Sequence, residues 1–214
     1  MIRRGAAAAR GGAAALAAAA ALGGCASDAS PPARPPPGAV LQVTVPGPGR
    51  VSEVATAFAV RDGRAVTVAH AVAGARSVSV AAPGRRPARA RVLASDPGLD
   101  LAVLAVRGLD VDAPRVASPT AGQRARVMVL RGNHARSLAA IVRRLITARV
   151  RDAPGATARV RPALELETTV TQGDSGAPVL DAEGRLIGVL FAQSAQRDDR
   201  AYAVDAREMP SAVR

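Results

Sequence analysis

The sequence predicts an all-β protein, and three observations support that class. From about residue 41 onward, short runs of valine, alanine and leucine alternate with turn signals, which is the pattern of many short strands. Two of the turns, Asp62-Gly63 and 181–184, have the composition of hairpin turns between paired strands. The roughly 170 residues of this region suffice for one compact domain or for two barrels that share an interface.

The predicted strands form two groups on either side of a linker at 113–121. The first group comprises the segments 41–45, 55–61, 65–69, 77–80, 89–94 and 101–106. The second group comprises the segments 124–130, 137–150, 163–168, 178–180, 186–192 and 201–204. A short helical turn is predicted at 71–75 and a terminal helix over 205–213, whereas the longest loops are predicted at 131–136 and 151–161.

A serine between two glycines is the most informative chemical feature of the chain, in the segment Gln172-Gly173-Asp174-Ser175-Gly176-Ala177-Pro178-Val179. Gly173 can bring its backbone N–H close to a reacting carbonyl because it has no Cβ, and Gly176 lets the chain turn sharply behind Ser175. A hydroxyl beside backbone donors is what acyl transfer needs. Taken alone, the same residues are equally compatible with an ordinary β-turn.

Two upstream residues have the chemistry that a serine nucleophile requires. His70 ends the apolar segment 65–69, and Asp100 directly precedes another apolar segment. A serine hydroxyl needs an imidazole to take its proton, and the imidazole needs a carboxylate that fixes its tautomer and stabilises its charge. Asp96 competes for the carboxylate role, but it precedes a proline and has the position of a turn acid. Asp100 is therefore the favoured acid.

These motifs resemble those of the trypsin-like serine proteases of the HtrA and DegP kind, and in particular the actinobacterial membrane-anchored proteases of the MarP type. The matching segments are 57–60, 67–75, 96–104, 173–179 and 188–192. The order His70, Asp100, Ser175, with separations of 30 and 75 residues, is the chymotrypsin-type order and differs from the subtilisin and α/β-hydrolase orders.

The resemblance implies two six-stranded antiparallel β-barrels of the chymotrypsin-like kind, with the active site between them and a short C-terminal helix. Within a protease domain spanning 41–214, it assigns about 41–112 to the first barrel and about 122–205 to the second. We expect no PDZ-like extension, because only residues 205–214 follow the last predicted strand.

The resemblance also implies roles for individual residues. His70, Asp100 and Ser175 correspond to the catalytic triad, and the N–H groups of Gly173 and Ser175 correspond to the oxyanion hole. HtrA relatives usually carry Asn in place of Asp174 and Gly in place of Ala177. Trypsins pair an aspartate at the first of these positions with an amino terminus released by zymogen cleavage. No such activation sequence is visible here, so we expect Asp174 to have another partner or to face solvent.

A substrate pocket is implied between two walls. These walls are formed by Thr168, Thr169 and Val170 and by Phe191, Ala192 and Gln193. None of these residues is a carboxylate, and a buried Arg or Lys of a substrate would lack a countercharge. We therefore expect cleavage after small or medium apolar residues such as Val, Ala or Leu, with Gln193 limiting the depth of the pocket.

The N-terminal region predicts export and lipid anchoring. An arginine pair precedes an apolar run that is too short to span a bilayer, which is typical of a secretory signal and assigns 1–24 to that role. Leu22-Gly23-Gly24-Cys25 then has the form of a lipobox, so Cys25 is predicted to carry a lipid that holds the protein on the extracytoplasmic face of a membrane. A generic alanine-rich leader with a chance cysteine is the alternative. Residues 25–40 are predicted to form an extended, proline-rich tether, with plain disorder as the alternative.

Net charge and composition limit the classes of molecule that the protein is expected to bind. The formal net charge is +12, and all 29 basic residues are arginine. Nucleic acid is disfavoured, because the chain lacks stacking aromatic residues and a recognition motif, and a surface near anionic lipid or cell-wall polymer explains the charge better. We predict no metal and no cofactor, since two histidines and one lipidated cysteine do not form a ligand cluster. His134 is predicted as an exposed loop residue.

The sequence therefore predicts a serine endopeptidase that hydrolyses peptide bonds of extracytoplasmic proteins. One alternative is a catalytically weak or inactive protease-fold lipoprotein that binds peptides or a partner in the cell envelope, for which Ala177 leaves room. Another alternative is a structural envelope lipoprotein. The complete set of His70, Asp100 and Ser175 argues against both, because drift usually removes at least one member of a triad.

Overall fold

Two closed antiparallel barrels make up the part of the chain that the computed structural model describes, residues 39–47, 52–150 and 158–213. The first barrel consists of β1 (Val40–Pro46), β2 (Ser52–Val60), β3 (Arg64–Val68), β4 (Val78–Ala81), β5 (Ala88–Asp96) and β6 (Leu101–Val106). The second consists of β7 (Arg124–Arg131), β8 (His134–Val150), β9 (Arg159–Glu167), β10 (Pro178–Leu180), β11 (Leu186–Gln193) and β12 (Arg200–Asp205). The prediction of an all-β fold with two six-stranded barrels is confirmed.

Both barrels have the same strand order. The first runs β1-β2-β3-β6-β5-β4 and closes where β4 pairs with β1. The second runs β7-β8-β9-β12-β11-β10 and closes where β10 pairs with β7. Closure leaves neither sheet with an unpaired edge strand.

Local sequence explains the first barrel's hairpins. Asp62 and Gly63 adopt positive φ angles of 60° and 65°, which is the geometry that a two-residue turn needs to match the twist of β2 and β3. Behind them, β6 has the sequence Leu-Ala-Val-Leu-Ala-Val and is buried at all positions except the half-buried Ala105. The predicted turn and the predicted buried strand are both confirmed.

The two barrels share part of their hydrophobic core. One cluster of buried side chains fills the first barrel and continues into the second through Met128, Leu180, Leu186 and Phe191. A smaller cluster lies wholly within the second barrel. Because one continuous core lies across the interface, burial of apolar surface holds the barrels against each other as well as closing each one.

Three predictions differ from the structure or lie outside it. The predicted loop 131–136 is wrong: Arg131 ends β7, His134 begins β8, and the two residues pair across a tight turn. The predicted terminal helix is instead two 3₁₀ turns, Ala206–Glu208 and Ser211–Val213, because each segment bonds only over three residues. Of the predicted loop 151–161, residues 151–157 lie outside the described residues, and residues 159–161 are the start of β9.

The 3₁₀ turn His70–Val72 replaces the longer helical turn predicted at 71–75. Only Ala69 separates the end of β3 from this turn, so the turn positions the His70 side chain at the rim of the first barrel. Among the described residues, no helix has the length and hydropathy needed to cross a membrane.

Candidate active site

His70 and Asp100 are in direct contact, although 30 residues separate them in the sequence. The His70 Nδ1 atom lies 2.8 Å from Asp100 Oδ2, and the His70 backbone N–H donates to Asp100 Oδ1 over 2.9 Å. The Asp100 carbonyl accepts a further bond from Ala69 N–H at 3.1 Å. An ionised carboxylate only accepts, so Nδ1 carries the proton and Nε2 is left as the basic nitrogen.

Asp100 adopts a backbone conformation that few side chains tolerate. Its φ angle is +61°, in the left-handed region, where aspartate is among the more acceptable residues. The three bonds to Ala69 and His70 hold this conformation in place. The turn between β5 and β6 is therefore shaped so that the carboxylate faces the imidazole.

The electrostatics of the pair favour protonation of the imidazole. The pKa of His70 is raised above its ordinary 6.5, and the largest cause is the hydrogen bond between its ring and Asp100. Burial acts in the opposite direction and lowers the pKa. The negative charges of Asp100 and Glu53 raise the pKa further, whereas the positive charge of Arg161 lowers it. The His70 side chain remains 53% exposed, so its free nitrogen is accessible to a substrate.

Ser175 lies in the turn before β10, and this turn is bonded to the first barrel through Thr56. The Thr56 backbone N–H donates to the Ser175 carbonyl at 2.8 Å, and Thr56 Oγ1 donates to the Gly173 carbonyl at 2.9 Å. The Thr56 carbonyl in turn accepts from Thr67 Oγ1 at 2.7 Å, and Thr67 lies on β3 just before His70. Buried hydrogen bonds thus connect the serine turn with the strand that carries the histidine.

The backbone donors of the serine turn fall into two sets. The N–H groups of Asp174, Gly176 and Ala177 donate to carbonyls within the protein. In the part of the chain described here, the N–H groups of Gly173 and Ser175 have no such acceptor. The serine turn therefore has two available backbone donors, the N–H groups of Gly173 and Ser175. This arrangement can bind an anionic oxygen.

Asp174 is completely buried and paired with an arginine. Both of its carboxylate oxygens bond the guanidinium of Arg131, with Arg131 Nη2 to Asp174 Oδ2 at 2.7 Å, and Oδ2 also accepts the Thr171 N–H at 2.7 Å. The expected other partner of Asp174 is thus Arg131 at the end of β7. This pairing fixes the residue that precedes Ser175.

The remaining candidates lie apart from the His70–Asp100 pair. Asp96 Oδ1 accepts the Leu99 N–H at 3.0 Å, so this carboxylate closes its own turn. His134 is exposed as the first residue of β8, not in a loop. No group of three or more potential metal ligands occurs among the described residues. Cys25 lies outside them.

The six residues predicted to line a substrate pocket have mixed environments. Thr168, Val170 and Phe191 are buried, Ala192 is half-buried, and Thr169 and Gln193 are exposed. The hydroxyl of Thr168 donates to the Ala139 carbonyl at 2.9 Å, and the ring of Phe191 faces the guanidinium of Arg161. Phe191 also belongs to the buried cluster that the two barrels share.

Four residues at the site were not identified from the sequence: Thr56, Thr67, Arg131 and Arg161. The sequence gives a weak signal for the two threonines, since each is a polar residue with an apolar neighbour on both sides. The arginines left none, because their carboxylate partners are 43 and 61 residues away along the chain.

Comparison with known proteins gives a consistent assignment. The family model of the trypsin-like peptidase domain matches residues 55–189. Serine protease Rv3671c of Mycobacterium tuberculosis is 33% identical over 158 residues, which are 72% of this chain and 40% of that protein. A probable periplasmic serine endoprotease of Hahella chejuensis, described as DegP-like, is 26% identical over 144 residues, 67% of this chain and 30% of that protein. The chain thus spans less than half the length of these curated relatives.

Solved structures agree with the fold. The crystal structure of the active form of Rv3671c protease from M. tuberculosis superimposes with a TM-score of 0.74 at 28% identity, covering 80% of this chain and 78% of that one. An HtrA-type protease, AlgW with a tripeptide, superimposes with a TM-score of 0.65 at 22% identity, covering 80% of this chain and 57% of that one. The latter likeness concerns the fold alone.

We predict that Gly176→Ala disrupts the contact between the barrels. A Cβ at this position, where φ is +90°, would overlap the Thr56 carbonyl oxygen and lie 2.7 Å from Thr67 Oγ1. We expect a loss of about 3 kcal/mol or more in the free energy of unfolding, measured by urea denaturation. Gly184→Ala is the matched control, because Gly184 also has a positive φ of 78° but has open space around it. It should cost only about 1–2 kcal/mol, and equal costs for both variants would contradict the prediction.

We predict that Arg131→Met destabilises the protein by leaving the Asp174 carboxylate buried without a countercharge. The expected cost is about 3–5 kcal/mol in the free energy of unfolding. Adding Asp174→Asn should recover part of this loss, since the amide carries no charge.

The control for this prediction is Arg144→Met, which breaks an exposed ion pair with Glu165. It should cost no more than about 1 kcal/mol in the same denaturation experiment. A failure of Asp174→Asn to improve the Arg131→Met variant would refute the explanation by uncompensated charge.

Proposed function

The chain belongs to the trypsin-like peptidase family, and we propose that it is a serine endopeptidase that uses His70, Asp100 and Ser175. The observation that carries this proposal is the 2.8 Å bond between His70 Nδ1 and Asp100 Oδ2. This bond directs the Nδ1 proton to the carboxylate and leaves Nε2 free to act as a base. A serine nucleophile needs a base of this kind.

In the proposed reaction, Ser175 Oγ attacks the carbonyl carbon of the scissile peptide while His70 Nε2 takes the hydroxyl proton. Asp100 keeps the imidazole oriented and stabilises the imidazolium that forms. The peptide C–N bond then breaks as His70 gives its proton to the leaving nitrogen. A water molecule, deprotonated by the same imidazole, hydrolyses the acyl-enzyme and restores the Ser175 hydroxyl.

The developing oxyanion is proposed to bind the N–H groups of Gly173 and Ser175. Their lack of protein acceptors within the described residues supports this role, because donors already engaged in the fold could not bind an oxyanion. The Thr56 bonds and the Arg131–Asp174 pair hold both residues in place before substrate arrives. Such preorganisation is what gives an oxyanion hole its effect on rate.

We predict that peptide hydrolysis depends on Ser175 and His70 as a unit. Ser175→Ala should lower kcat by roughly 10⁶-fold, and adding His70→Ala should cost little more, because each residue acts only through the other. The control is Ser137→Ala, on the exposed face of β8, which should retain full activity.

Labelling by a fluorophosphonate probe tests the same assignment without a known substrate. The probe should label wild-type protein and the Ser137→Ala variant but not the Ser175→Ala variant. Absence of labelling in folded wild-type protein would favour the alternative of a peptide-binding module with an inactive protease fold.

The proposed substrates are extracytoplasmic polypeptides, cleaved after small or medium apolar residues. The absence of a carboxylate from the six predicted pocket residues supports this preference. Asp199, an acid in the loop that follows Gln193, already bonds Arg197 and Arg200. We predict that a peptide-library digest shows cleavage after Val, Ala or Leu. Dominant cleavage after Arg or Lys would mean that other residues form the pocket.

We further propose that Cys25 carries a lipid anchor, preceded by a signal peptide at 1–24 and followed by a tether at 25–40. The periplasmic description of the DegP-like relative supports export. We predict that Cys25→Ser releases the protein from the membrane fraction or blocks its processing. Mass spectrometry of the mature N-terminus provides the check, and an unmodified N-terminal residue other than Cys25 would exclude the anchor.

A further inference from the structure

Arg161 is a buried arginine that the proposed mechanism does not use. Its side chain, on β9 of the second barrel, is 1% exposed, and it is the largest fully buried side chain among the described residues. A buried guanidinium is costly unless other groups compensate its charge. Its position therefore requires a specific set of partners.

Those partners belong to the acid turn and to the second barrel. Arg161 Nη1 lies 3.4 Å from Asp100 Oδ2 and donates to the Leu99 carbonyl at 3.3 Å. The guanidinium carbon lies 5.0 Å from the centroid of the Phe191 ring, which is a cation–π distance. Arg161 Nε has no hydrogen-bond partner among the described residues. The countercharge of this arginine is thus the same carboxylate oxygen that binds His70.

We propose that Arg161 is a positioning residue that shares the Asp100 carboxylate with His70, locks the acid turn of the first barrel onto the second, and weakens the hold of Asp100 on the imidazole proton. This inference rests on the proposed function, in which Asp100 orients His70. Arg161 itself is not expected to touch substrate, because its side chain is buried.

The geometry gives Arg161 two separable effects. Its hydrogen bond to the Leu99 carbonyl and its ion pair with Asp100 cross from one barrel to the other, so they fix the position of the carboxylate relative to the second barrel. Its charge partly neutralises the carboxylate that His70 faces. Replacing the residue by methionine removes both effects, whereas replacing it by lysine keeps the charge and removes the planar guanidinium.

The direction of the charge effect follows from the groups around His70. The charged groups that act on the imidazole are Asp100, at the turn after β5, Glu53 on β2 and Arg161 on β9. Arg161 is the member of this set that lowers the pKa of His70. Without it, the imidazole holds its proton more tightly, so the basic form appears only at higher pH.

The main experiment is an NMR titration of the histidines in full-length wild-type protein and in the Arg161→Met variant. The chain has two histidines, so His134 on the exposed end of β8 serves as an internal reference. We expect the pKa of His70 to be higher in Arg161→Met than in the wild-type protein, because the positive charge that lowers it is gone. In a hydrolysis assay, the acid limb of kcat/KM should move to higher pH by the same amount.

Arg159→Met is the matched control for this experiment. Arg159 lies two residues earlier on the same strand, and its Nη1 donates to the Pro97 carbonyl of the same turn at 2.9 Å. Arg159 thus joins the barrels at an exposed point. None of its described hydrogen bonds or ion pairs involves Asp100. We expect Arg159→Met to leave both the His70 pKa and the acid limb unchanged. Equal shifts in the two variants would overturn the assignment to Arg161.

Arg161→Lys covers the case in which Arg161→Met fails to fold. If the charge matters, Arg161→Lys keeps the His70 pKa near its wild-type value even where thermal stability falls. The proposal would be overturned if the His70 pKa rose as much in Arg161→Lys as in Arg161→Met, or if it did not change in folded Arg161→Met. Arg161 would then have a purely structural role.

The titration does not depend on activity, so it separates this inference from the proposed function. Loss of fluorophosphonate labelling with a normal shift of the His70 pKa would count against the catalytic role of Ser175 and support the Arg161–Asp100 coupling. Normal labelling without a pKa shift would count against the coupling and leave the proposed protease function standing.

Discussion

The hydrogen bonds of Thr56 are the interaction on which the rest of the site depends. The candidate residues are divided between two barrels, and neither barrel can place His70 near Ser175 without the other. Thr56, fully buried on β2, bonds the serine turn through both its backbone and its hydroxyl and accepts a bond from Thr67. Because a buried donor or acceptor that loses its partner costs about 1–3 kcal/mol, these bonds keep the turn in a single position.

Four buried aspartates of this protein each form an ion pair with an arginine. Asp100, Asp174, Asp181 and Asp205 are all buried, and each has a guanidinium in ion-pair distance. The absence of lysine from the chain acquires a structural meaning here. A planar guanidinium can bond both carboxylate oxygens at once and is less strongly hydrated than an ammonium group, so it is better suited to burial beside an acid.

The fold could be predicted largely from the sequence, because alternating apolar strands and hairpin turns are local signals. Asp62-Gly63 and β6 are examples in which a few neighbouring residues determine the structure. The environment of Asp174 could be predicted only in part: the sequence allows either a partner other than a new amino terminus or exposure to solvent, and it does not identify Arg131. Its contact forms across a barrel, and nothing in the residues around either partner specifies it. Arg161 escaped detection for the same reason, since burial of a charged side chain depends on the packing of distant strands.

The shared core of the two barrels affects how readily one copy of the protein could be digested by another. Under the proposed function, opening of the interface would expose loops to cleavage by a neighbouring copy. It would also carry Ser175 away from His70, so the opened molecule would lose its own activity. Self-digestion then requires an intact molecule and an opened one to meet, and its rate follows the product of the two populations. The rate is highest where intact and opened molecules are both abundant. It falls to zero where all molecules are intact or all are opened. Autolysis of this protein should therefore peak near the midpoint of unfolding.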